Sequence, residues 1–183
     1  AATLSPDAPN RAQLVVTSFV FGMGLGTLIA GPLSDAFGRK IIILLGSALY
    51  VVAAIACYFA KTLDFLLIAR VVQGFGAAAP RVVSTAMVRD LFSGREMARV
   101  MSFVMMVFTL VPAVAPLMGQ AVIYAAGWHA IFLVYVVFSM VILLWMGLRQ
   151  PETLRPENRR PLQAGPLRAA FLEVISYRVI VVS

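Results

Sequence analysis

A short polar segment, GPLSDAFGRK at residues 31–40, separates two apolar runs that are each long enough to cross a bilayer. Glycine and proline interrupt it, and it carries the charged residues Asp35, Arg39 and Lys40. Because it lies between two spans, the segment predicts a turn at one membrane face. Lysine and arginine accumulate on the cytoplasmic side of membrane proteins, so we expect this turn to lie inside the cell.

The composition supports a membrane protein and argues against other classes. Of the 183 residues, 61% are hydrophobic and 13% are charged, which is too apolar for an ordinary soluble domain. The net charge of +7 comes mainly from short loops beside apolar runs, so we expect lipid headgroups rather than nucleic acid as its counterpart. Neither a catalytic set nor a Cys/His ligand set is evident, so we predict no enzyme, no metal and no cofactor.

Five apolar runs predict an all-α, polytopic membrane protein. An outer loop is expected at 1–12, a cytoplasmic linker at 149–177 and the start of a further helix at 178–183. The predicted spans are 13–33, 41–60, 65–88, 100–126 and 131–148. If loops alternate between the two faces, ten basic residues fall on one side and two on the other. The positive-inside rule therefore places the N-terminal loop outside and the linker in the cytoplasm.

Two arginines, Arg70 and Arg81, lie inside the third span. A guanidinium in that position is costly unless it snorkels, pairs or faces water. Snorkelling and a cavity-facing role remain open for both residues. In the first span, Gly22 and Gly26 lie four residues apart, which favours close approach of a second helix, although glycine is also generally frequent in membrane helices.

The segment at 31–40 resembles the signature loop of the major facilitator superfamily of transporters, between that family's second and third helices. Nine of the ten positions fit, and Ala36 stands where the family usually has a basic residue. The resemblance implies an inner gate loop that includes Gly31, Asp35, Gly38, Arg39 and Lys40. Asp90, at the inner end of the third span, is a candidate partner for Arg39; a solvated loop without specific pairing is the alternative.

The sequence RVVQGFG at residues 70–76 resembles the fourth-helix motif of the same family, which is implicated there in proton coupling. The resemblance gives Arg70 and Gln73 that role. Gln73 lies one turn from Arg70 and could hold the guanidinium by a hydrogen bond. Gly74 and Gly76 would let a neighbouring helix lie close.

Pro116 and Gly119 in the fourth span partly match the fifth-helix motif of drug:proton antiporters, although ordinary proline kinking also explains them. Together, the motifs correspond to the second to sixth helices of the family. The first helix and the second half are therefore expected to be missing from this sequence. The chain most resembles the bicyclomycin and chloramphenicol resistance group.

The resemblance implies proton-coupled efflux of drugs or other small molecules across the inner membrane by alternating access. The expected partners are a small-molecule substrate, protons, the lipid bilayer and the missing C-terminal half. No acidic residue lies within the predicted spans away from their ends, so an acidic proton carrier would come from the missing helices. A proton-coupled uptake symporter and a non-transporting membrane scaffold remain as alternatives.

The predicted topology can be tested by labelling. In a Cys57→Ser background, single cysteines introduced by Ser5→Cys and Gln163→Cys should react with an impermeant thiol reagent from opposite faces of the membrane, because the basic residues are unevenly distributed. Reaction of both cysteines from the same face would contradict the five-span topology.

Overall fold

The computed structural model describes residues 11–154, 157 and 159, and these form five α-helices without a β-strand. The helices are α1 Arg11–Phe37, α2 Arg39–Tyr58, α3 Leu63–Leu91, α4 Gly94–Ala126 and α5 His129–Arg149. Each is long and apolar enough to cross a membrane. The predicted all-α, multi-pass architecture is confirmed. Most of the predicted outer loop at 1–12, most of the predicted linker at 149–177 and the predicted helix start at 178–183 lie outside the described residues.

The helices extend beyond most of the apolar runs that predicted them. α4 begins at Gly94 rather than at residue 100, and α3 continues to Leu91 rather than ending at residue 88. Charged residues mark where the hydrocarbon ends, but they do not stop a helix, so hydropathy alone makes most of the predicted helices too short. Thr62 defines the start of α3 by accepting a hydrogen bond from Phe65 N.

The turn predicted at 31–40 is much shorter in the structure, and its predicted extent was wrong. α1 continues through Pro32 to Phe37, and α2 begins at Arg39, so Gly38 alone separates the two helices. Its φ of 111° is accessible to glycine and strained for other residues. A proline costs a membrane helix one backbone hydrogen bond, and such helices tolerate it. Because only Gly38 lies between α1 and α2, the chain reverses direction at that residue.

α3 is the central helix of the described bundle. α1 and α2 pack along it, and α5 packs against α2, whereas α4 has few neighbours and no buried residue. One apolar cluster lies near Arg39 and contains Ala30, Ile42, Ile43, Ala79, Val83 and Met87. The other lies near Trp128 and contains Cys57, Ala60, Leu66, Ala69 and Phe132. We refer to these two ends of the bundle as the Arg39 end and the Trp128 end.

Glycines bring α3 into backbone contact with α1. A Cβ placed on Gly22 would overlap the carbonyl oxygen of Val71, and one on Gly74 would overlap the carbonyl oxygen of Phe19. A Cβ on Gly26 would lie 2.6 Å from the Phe75 oxygen. These contacts are with backbone atoms, so a change of side-chain rotamer cannot relieve them.

A second glycine contact joins α3 to α2. A Cβ on Gly76 would lie 2.8 Å from the Gly46 carbonyl oxygen, and a Cβ on Gly46 would lie 2.9 Å from the Gly76 oxygen. The sequence did not predict a contact at Gly46, because a single glycine in an apolar run carries no spacing signal. α3 therefore meets both neighbours at glycines on two of its faces.

Replacing Gly22 by alanine should destabilise the chain, whereas Gly24→Ala should not, because a Cβ on Gly24 meets no atom within 4 Å. Overpacking of this kind costs about 1–3 kcal/mol. The single cysteine, Cys57, is fully buried and can report unfolding through a thiol-reactive fluorophore during heating in detergent. Equal melting temperatures for the two variants would contradict the backbone contact between α1 and α3.

Candidate functional site

Arg39 lies at the junction of three helices at the Arg39 end, with its side chain 10% exposed. Its Nε donates to Asp90 Oδ2 at 3.0 Å, from the last turn of α3. Its Nη1 donates to Ser34 Oγ at 2.7 Å and to Asp35 Oδ1, both on α1. The structure thus brings the predicted gate residues Asp35, Arg39 and Asp90 into one ion-paired cluster.

Glu152, which follows α5 in the sequence, adds a further carboxylate to this cluster. Glu152 Oε1 accepts hydrogen bonds from the backbone N–H groups of Arg39 at 2.9 Å and Leu154 at 3.0 Å. Its Oε2 accepts one from Lys40 N at 3.2 Å. The first N–H groups of a helix lack partners within the helix and carry partial positive charge, so a carboxylate there is stabilising.

Gly38 makes this capping arrangement possible. A Cβ at this position would lie 2.6 Å from Glu152 Oε2, so a side chain here would exclude the carboxylate in addition to straining the backbone. The residue therefore does two things. It reverses the chain between α1 and α2, and it lets the segment that follows α5 dock onto the start of α2.

Sequence reasoning missed two members of this cluster. Ser34 is fully buried, accepts from Arg39 and donates to the Gly31 carbonyl oxygen at 2.8 Å. Glu152 lies in the segment PETL at residues 151–154, a few residues after the last predicted span. A carboxylate directly after a proline could have suggested a helix cap, but the helix that Glu152 caps begins 113 positions earlier in the chain.

Arg70 forms the second polar site, within α3. Its Nη1 donates to Gln73 Oε1 at 2.9 Å, as the spacing of the two residues suggested, and its Nε donates to the Val15 carbonyl oxygen at 3.3 Å. The guanidinium carbon lies 4.6 Å from the ring centroid of Phe19 and 6.0 Å from that of Phe132. Groups on α1, α3 and α5 therefore surround the cation, and all of them are neutral.

Gln73 is fully buried and links Arg70 to α2. Its Oε1 accepts from Arg70 and lies 3.8 Å from Cys57 Sγ. Its Nε2 has no hydrogen-bond partner among the residues that the structure describes. Both ion pairs within that part of the chain use Arg39, so no described carboxylate neutralises Arg70.

The other predicted site residues fall into two groups. Gly22, Gly26, Gly74 and Gly76 lie in the close helix contacts described above. Gly31 lies inside α1 rather than in a loop, and a Cβ there or on Gly119 meets no described atom within 4 Å. α4 runs through Pro116 without interruption, so the packing or kinking role of Pro116 and Gly119 stays a prediction.

Within the described ranges, no group of three or more His, Cys, Asp or Glu residues could hold a metal ion.

A family model described as Major Facilitator Superfamily matches residues 4–183. The chain belongs to the major facilitator superfamily. The resemblance of its motifs to that family is thereby confirmed. A solved structure of the human organic anion transporter MFSD10 (TETRAN) shares the fold, with a TM-score of 0.70 and 24% sequence identity over 81% of this chain and 34% of that protein.

Several relatives in the superfamily are named for drug resistance. The chain is 43% identical over 127 residues to a bicyclomycin resistance protein homolog of Haemophilus influenzae, covering 69% of this chain and 32% of the relative. It is 39% identical over 124 residues to a chloramphenicol resistance protein of Pseudomonas aeruginosa, covering 67% and 30%. With the multidrug resistance protein MdtL of Shigella flexneri the identity is 31% over 137 residues, covering 74% and 35%. The chain thus spans about a third of the length of these relatives.

Glu152→Gln should loosen the Arg39 end, because an amide cannot accept on both oxygen positions and its NH₂ would face a backbone N–H. We expect a loss of about 1–2 kcal/mol of stability. Glu157→Gln is the matched control, because Glu157 is exposed. The measurement is thermal unfolding of both variants in detergent. If the melting temperature of Glu152→Gln equalled that of the control, the carboxylate cap would contribute nothing to stability.

Proposed function

We propose that this chain forms part of a transporter that exports drugs or other small molecules across the inner membrane in exchange for protons. The names of the bacterial relatives support drug efflux, and their greater length supports a second half that lies outside this sequence. Such transporters rock two helical halves around a site near the membrane midplane. We assign the chain no catalytic role, since its family consists of transporters.

We propose that the Arg39 end faces the cytoplasm and that residues 149–177 form a cytoplasmic linker. The uneven distribution of basic residues supports this orientation. Arg39, Lys40, Arg89, Arg95, Arg99 and Arg149 all lie at helix ends or connections of the Arg39 end. At the Trp128 end, the connection between α2 and α3 carries one basic residue, Lys61. The side of a membrane protein that carries an excess of basic residues is usually the cytoplasmic side.

The Arg39 cluster serves as an inner gate in this proposal. Arg39 joins α1 to α3 through its bonds to Asp35 and Asp90, so the ends of α1, α2 and α3 move together while both pairs hold. The Asp35 side chain is 42% exposed, which leaves part of its carboxylate available to groups from the rest of the transporter. An interaction made in only one conformation shifts a two-state equilibrium by its differential energy.

Arg70 carries the coupling role, and one observation supports this above all: its guanidinium has only neutral partners among the described residues. A guanidinium always keeps its proton, so it cannot itself be the proton carrier. It can lower the pKa of a nearby carboxylic acid and stabilise the ionised form. That acid would come from helices outside this sequence, and its protonation would release the contact with Arg70.

Substituting Arg70 in the full-length transporter tests this function. Efflux of chloramphenicol from proteoliposomes is measured with and without an imposed pH gradient. Arg70→Lys keeps the charge but loses the planar fork, so it should keep some drug binding and lose most gradient-driven efflux. Arg70→Ala should lose both the binding and the gradient-driven efflux. Arg149→Ala is the control, because Arg149 lies at the end of α5 over the Trp145 ring. Full gradient-driven efflux by Arg70→Ala would remove the coupling role.

A further inference from the structure

Arg81 is a second cation within α3, and neither of the two polar clusters contains it. It is exposed, and its one hydrogen bond among the described residues runs from Nη1 to Met23 Sδ at 3.4 Å. It follows Arg70 by eleven residues, which places it on nearly the same side of the helix and about 16 Å further along. Both arginines thus lie along the contact between α1 and α3.

Two observations argue against snorkelling by Arg81. Asp90, which is paired at the Arg39 end, lies nine residues later, so Arg81 Cα is roughly 13 Å from that end along the helix. The side chain also points the wrong way for snorkelling. Its contact, Met23, lies opposite Gly74, about 10 Å nearer the Trp128 end at 1.5 Å per residue. The guanidinium is therefore directed towards the middle of α3.

The known partner of Arg81 cannot compensate its charge. A thioether is a weak hydrogen-bond acceptor. Both ion pairs within residues 11–154 belong to Arg39, and the acidic side chains of the helices lie near the helix ends. Lipid chains offer no acceptor at this depth, and an unpaired guanidinium among them would be costly. In a bilayer Arg81 therefore requires water or an anionic group, and the described residues supply no anionic group.

We propose that Arg81 binds a carboxylate within the transport cavity, beside the flexible apolar side chain of Met23. The proposal rests on the transport function proposed above and adds a chemical class to it. The planar fork of arginine matches the two oxygens of a carboxylate, and such paired bonds are strong and directional. The carboxylate belongs either to the substrate or to a side chain of the other half of the transporter. Either carboxylate would pair with Arg81, and the experiment below distinguishes the two sources.

The test compares two dyes that differ in one group. Rhodamine 110 carries a free benzoate, and rhodamine 123 is its methyl ester. Their dissociation constants are measured for the purified full-length transporter without a pH gradient. A substrate carboxylate bound at Arg81 should make the acid bind about tenfold to a hundredfold more tightly than the ester. Arg81→Gln should abolish this preference, Arg81→Lys should keep part of it, and the control Arg149→Gln should leave it unchanged.

The melting temperature of the same variants identifies the other source. If the carboxylate comes from the second half of the protein, the wild type shows no preference for the acid. Arg81→Gln then melts at a lower temperature than Arg149→Gln, and Arg81→Lys recovers part of the loss. If Arg81→Gln changes neither the dye preference nor the melting temperature, the proposal is overturned. Dye binding is measured without a proton gradient, so its result does not depend on whether the transporter couples efflux to protons. The efflux assay in proteoliposomes tests that coupling separately.

Discussion

Arg39 connects four segments of the chain within the reach of one residue. Its side chain bonds to Ser34 and Asp35 on α1 and to Asp90 on α3, and its backbone N–H bonds to Glu152 after α5. A carboxylate therefore meets this residue on both its side chain and its backbone. The direction of α2 relative to its neighbours depends on these bonds, because only Gly38 separates α2 from α1.

The energetics of this cluster follow from the burial of a charge. Arg39 is 10% exposed, so its guanidinium has lost most of its hydration and requires acceptors on several sides. Two carboxylates and a buried hydroxyl supply them, whereas removal of one partner would leave a desolvated charge incompletely paired. Such a cluster holds firmly in one geometry and weakens sharply in others. The gate role proposed for the cluster requires this property.

Much of the fold could be predicted from the sequence, because five apolar runs each require a helix in a bilayer. The proximity of Arg39 and Asp90 could also be predicted, since alternating spans bring their ends to the same face. The capping by Glu152 could not, because it depends on how the segment after α5 packs against α2. Hydropathy also failed at residues 31–40, where a helix continues through polar residues.

For the glycines and for Arg70, some contacts could likewise be predicted from the sequence and others could not. The four-residue spacing of Gly22 and Gly26 predicted close packing, and the structure shows α3 against them. The spacing of Arg70 and Gln73 likewise suggested their hydrogen bond. The other partners of Arg70, the Val15 carbonyl oxygen and the aromatic rings, come from separate helices. No local pattern specifies them, because they depend on how the helices are rotated.

Three arginines in this chain meet their surroundings in three different ways. Arg39 has carboxylates, Arg70 has a carbonyl, an amide and aromatic rings, and Arg81 has a thioether. Carboxylates neutralise the charge of an arginine, whereas carbonyl, amide, aromatic and thioether groups only solvate it. Arg70 and Arg81 therefore have no anionic partner among the described residues. Since α3 holds both on nearly one side, that side is where an acidic side chain or an anionic substrate would gain most from approaching the bundle.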